Sequence, residues 1–129
     1  MTNRELFENA IRLLALPNTD DENADYEERA PFLLASFCNE AQEVDSFLRL
    51  ASGITTAVDF AKIWLPLDEQ FPLLETLAPA ASLYLAAMLV LEEDISLSDR
   101  LYELYADALS SIRSGISYTL ESIADHYFS

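Results

Sequence analysis

The sequence predicts an all-α protein of four to five helices packed as a small bundle. Three observations carry this reading. Apolar residues recur every three or four positions along most of the chain. Helix start and stop signals bracket those runs. Glycine occurs only at positions 53 and 115 of 129 residues, too sparse for the turns of a many-stranded fold. A chain of this length is the size of one domain, and no linker, repeat or low-complexity tract divides residues 1–129.

The first helix begins at a capping box, Thr2-x-x-Glu5, in which each side chain satisfies a backbone N–H at the helix start. Leu6, Ile11, Leu13, Leu14 and Leu16 form its apolar stripe, and Pro17 ends it. An acidic loop, "PNTDDENAD", follows. A second helix is predicted from near Asp25, with Asp25-x-x-Glu28 as its cap and acidic residues suited to the positive end of the helix dipole. Its buried face reads Leu33/Leu34, Phe37, Ala41, Val44 and Leu48. Pro31 implies a kink or a short first turn with a restart, and Gly53 closes the helix.

Between residues 54 and 70 the helical rhythm breaks. Ile54, Thr55, Thr56 and Val58 are β-branched, and Pro66 holds Leu65 extended, so this stretch predicts an irregular excursion or a short hairpin. It carries the only tryptophan, Trp64, among Phe60, Ile63, Leu65, Leu67 and Phe71. This apolar group is the candidate partner interface. From Pro72 the helical pattern resumes, with Pro79 in the first turn of a third helix that runs to about Glu92. Ser96 or Ser98 caps the last helix, whose stripe is Leu101, Tyr105, Ala108/Leu109, Ile112, Ile116, Leu120, Ile123 and Tyr127. At about 1.5 Å per residue this helix outruns a small bundle and would project beyond it, with Gly115 marking a bend or end.

The charge balance is strongly acidic, 23 Asp and Glu against 7 Lys and Arg, a net of -16. That balance opposes binding to nucleic acid or anionic membranes, which needs clustered basic residues. The longest uncharged run, Thr76 to Leu91, is too short for a membrane span and contains Pro79. The N-terminus lacks a basic segment followed by an apolar core, so no signal peptide is predicted. One cysteine, Cys38, precludes an internal disulfide and suits a reducing compartment.

Little in the sequence speaks for catalysis. A nucleophile pair would require Cys38 with His126, yet Cys38 falls on the apolar face of the second helix. Zinc and di-iron sites need more Cys and His ligands than one of each. Counting an EF-hand from Asp21 places Tyr26 where a glycine is needed and Phe32 where a bidentate Glu is needed. Glu92, Glu93 and Asp94 read as the hydrophilic stop of a tight interhelical turn. The prediction is therefore a non-enzyme with no catalytic, cofactor or metal residues.

The stretch from Leu65 to Leu109 resembles the small helical head-tail connector proteins, also called adaptor or neck proteins, of tailed bacteriophages and prophages. The resemblance rests on an extended acidic-then-proline turn, Leu67-Asp68-Glu69-Gln70-Phe71-Pro72. A proline-led helix of small and aliphatic residues follows, Pro79-Ala80-Ala81-Ser82-Leu83-Tyr84-Leu85-Ala86-Ala87. It runs into the stop Leu89-Val90-Leu91-Glu92-Glu93-Asp94, and then the aromatic-bearing Leu101-Tyr102-Glu103-Leu104-Tyr105-Ala106-Asp107-Ala108-Leu109. It implies a structural protein of the virion head-tail junction that self-associates into a ring below the portal and meets portal and tail-completion proteins. An acidic surface is compatible with a DNA conduit whose walls repel phosphate. The competing expectation is an acidic helical binding protein, a DNA mimic or regulator, acting on a basic partner surface.

Overall fold

The computed structural model describes residues 1–15 and 20–128; for residues 20–22 and 117–128 it describes the backbone course alone. The fold is all-α: α1 (Asn3–Leu13), α2 (Asp20–Ala51), a single 3-10 turn (Glu75–Leu77), α3 (Ala78–Val90) and α4 (Ile95–Phe128). Between α2 and α3 lies a long non-helical segment. No strand occurs among the described residues, only one antiparallel bridge between Thr2 and Gln70. The excursion around residues 54–70 is thus irregular rather than a hairpin.

The helix ends follow the sequence in part. Thr2 caps α1 through its hydroxyl, which accepts from the Glu5 N–H at 3.2 Å. The reciprocal arm is replaced by a contact between the Thr2 hydroxyl and the Glu5 carboxylate. Leu6, Ile11 and Leu14 are buried as predicted, but Leu13 is exposed, and Leu16 and Pro17 lie outside the described residues. α2 starts at Asp20 rather than near Asp25, because acidic residues suit a first helical turn as well as a loop. It passes Pro31 without a restart. Gly53 closes α2 at φ 76° in a Schellman arrangement, with Ile54 N–H bonded to the Arg49 carbonyl and Gly53 N–H to that of Leu50.

Pro79 stands in the first turn of α3. The turn at 91–94 reverses the chain, with Glu93 and Asp94 N–H groups both bonded to the Val90 carbonyl. The cap of α4 is Asp94 rather than either serine: its carboxylate accepts from the Leu97 N–H at 3.0 Å. Ser98 instead donates to the Ala87 carbonyl at 2.7 Å, bolting α4 onto α3. α4 runs through Gly115 to Phe128 over 34 residues, about 51 Å, against 13 residues and about 20 Å for α3. The side chains of Leu120, Ile123, His126 and Tyr127 lie outside the described set.

α3 is the hub. Its residues are apolar on all sides, the mark of a helix surrounded by protein, and it packs against α1, α2, α4 and the 3-10 turn. Ala80, Ala81, Ala86 and Ala87 let those neighbours approach closely. The core beside it is aromatic: Phe37 meets Phe71, Tyr84 and Tyr105 at centroid distances of 6.3, 5.9 and 6.1 Å. These distances suit offset and edge-on packing.

The non-helical segment, here called the strap, is held by polar groups on one face of α2. Asp45, with 0 % of its side chain exposed, accepts from the Leu74 N–H and from Arg49 Nε, both at 2.8 Å. Gln42 accepts from the Phe60 N–H at 2.8 Å, and Asn39 donates to the Lys62 carbonyl at 2.8 Å. Asp45→Ala should lower unfolding free energy by about 3–5 kcal/mol in urea titrations, since it strands both the Arg49 charge and the Leu74 N–H. Asp45→Asn, which keeps an acceptor for Leu74, should cost less; equal losses would show that the amide contact contributes nothing.

Candidate interaction surface

The strap fixes the site. Its backbone cannot satisfy itself as a helix would, so its N–H and C=O groups must find other partners. Asn39, Gln42, Asp45 and Arg49 recur at helical spacing on α2 and supply several of them. Farther along, the Leu65 N–H bonds to the Pro31 carbonyl at 3.1 Å. The N-terminus of α1 takes others: Asn3 and Arg4 N–H groups bond to the Glu69 and Leu67 carbonyls, each at 2.9 Å. Asn3 also donates from its side-chain amide to the Pro66 carbonyl at 2.9 Å.

This anchoring divides the six residues assigned to a partner interface. Phe60, Leu65, Leu67 and Phe71 are buried and belong to the core, so they are corrected from contact residues to packing residues. The physical reason is anchoring of the backbone: the Phe60 N–H is held by Gln42, the Leu65 N–H by the Pro31 carbonyl, the Leu67 carbonyl by the Arg4 N–H and the Phe71 N–H by the Met1 carbonyl. Ile63 and Trp64 remain outside, 81 % and 48 % exposed. Phe32, which was not singled out, is 54 % exposed. The Leu65–Pro31 hydrogen bond brings the strap beside the turn of α2 that carries Phe32. The spacing of Leu34, Phe37 and Ala41 leaves Phe32 off the buried stripe of α2, a signal that was available but masked by the run Pro31-Phe32-Leu33-Leu34.

Two grooves complete the surface. One, about 660 Å³, lies between α1 and α3 and is lined by Leu13, Ala78, Pro79 and Leu83, with Arg12 and Glu75 at its edge. The other, about 500 Å³, lies where α2 ends, between Ser46, Arg49 and Leu50 of the helix and Gly53 to Ala57 of the strap.

Nothing chemical converges on either groove. Among the described residues no three His, Cys, Asp or Glu side chains group as metal ligands, and the backbone from Asp20 to Asp25 is helical where a calcium loop would need to wrap. Of residues 92–94, the Asp94 carboxylate caps α4, and Glu93 faces the Tyr26 phenol, whose pKa is raised by burial first and by that carboxylate second. Tyr105 is sealed in the core without a well-aligned hydrogen bond, and burial followed by the facing Glu40 carboxylate pushes its phenol far above the usual range. No helix among the described residues is long and apolar enough to cross a membrane.

Compared with known proteins, the chain matches no family model, and no curated protein or solved structure is significantly similar to it.

Cys38 is buried, and desolvation followed by nearby Asp45 pushes its thiol up to about 12. A folded-state pKa above the unfolded one means that the native state holds the proton longer. Its contribution to stability is complete below the unfolded thiol range and lost as pH rises above it, at up to about 1.4 kcal/mol per pH unit. In native buffer at pH 8, Cys38 should therefore resist a thiol-specific reagent and react fully only in denaturant. Rapid native labelling would contradict this placement.

Proposed function

We propose that this chain is a non-enzymatic structural subunit that self-associates into a ring, of the kind that joins a phage or prophage head to its tail. The single observation that carries the reading is the exposure of the consecutive residues Ile63 and Trp64 on the strap. Large apolar side chains stand in solvent on a strap that many hydrogen bonds hold rigid. Exposed apolar groups on a fixed support are suited to a protein contact, because little conformational entropy remains to be lost on docking. The likeness of residues 65–109 to connector proteins supplies the kind of assembly, and the net charge of -16 suits a conduit wall that DNA passes without adhering. On this reading the partners are further copies, a portal and tail-completion proteins, and the working location is the virion head-tail junction after synthesis in a bacterial cytoplasm.

Native mass over a wide concentration range, with and without a phage portal protein, tests the reading. A complex of three or more copies, or tight binding to the portal, is the expected result. Ile63→Asp with Trp64→Ser should weaken that assembly at least tenfold while helical circular dichroism stays unchanged; Leu65 is left intact because it is buried. A monomer indifferent to the portal overturns the proposal and shifts weight to an acidic protein that binds a basic partner.

A further inference from the structure

We draw no further inference here: the strongest candidate, the apolar groove of about 660 Å³ between α1 and α3, carries none because nothing in the structure shows what covers it.

Discussion

The structure depends on one buried carboxylate. Asp45 is withdrawn from water on the face of α2 that meets the strap, and it is held there by Arg49 and by the Leu74 N–H. An ionised group in such a place is tolerated only while both partners remain. It therefore fixes two things at once: where the strap re-enters the bundle before the 3-10 turn, and how the Arg49 guanidinium lies against the Thr56 and Pro72 carbonyls. Gln42 and Asn39, on the same face of α2, repeat the device with uncharged amides. The strap is irregular in dihedral terms yet fully specified in register, because its polar backbone is read by a row of side chains rather than by a neighbouring strand.

That register explains which apolar groups face inward. With Phe60 N–H on Gln42 and Leu65 N–H on Pro31, Phe60 and Leu65 are pinned, and Leu67, Phe71 and Leu73 complete the wall against α2 and α3. Phe71 reaches the aromatic group of Phe37, Tyr84 and Tyr105, so the strap closes the core as a helix would. Ile63 and Trp64 are left outside by the same geometry. Their exposure follows from the anchoring on both sides of them, and burying them would require giving up the Asn39–Lys62 and Leu65–Pro31 contacts.

The helices were legible because their signals are local. Capping at Thr2, the glycine stop at Gly53 and the proline at the head of α3 each act within one turn, and an amphipathic stripe reports its own buried face. The errors came from interactions that span the chain. Nothing near Asp94 distinguishes it from Ser96 as a cap until Ser98 is seen to be committed to Ala87 on α3. Asp25 resembles a cap, but it sits in an acidic run that suits a first helical turn equally well, and the helix is already under way from Asp20. The division of the strap into buried and exposed apolar residues depended on Asn39, Gln42 and Asp45. In the sequence these read as ordinary polar positions of an amphipathic helix; their role appears only when residues 60–74 are placed against them.

Charge and shape then act on different scales. Ionic screening confines the repulsion between exposed carboxylates to about 8 Å at physiological salt. Outside that range two copies of this chain are indifferent to each other, and inside it almost every approach brings carboxylates together. Only acid-free surface permits close contact, and along this chain much of that surface is core, since the uncharged run from Thr76 to Leu91 is largely consumed by α3. What remains accessible is divided among short acid-free stretches such as 9–15, 29–39, 46–58 and 60–67, each with one cation. The same polar ladder that holds the strap in register therefore also leaves Ile63 and Trp64 in solvent. An acidic surface of this kind narrows the possible contacts to a few without building any of them.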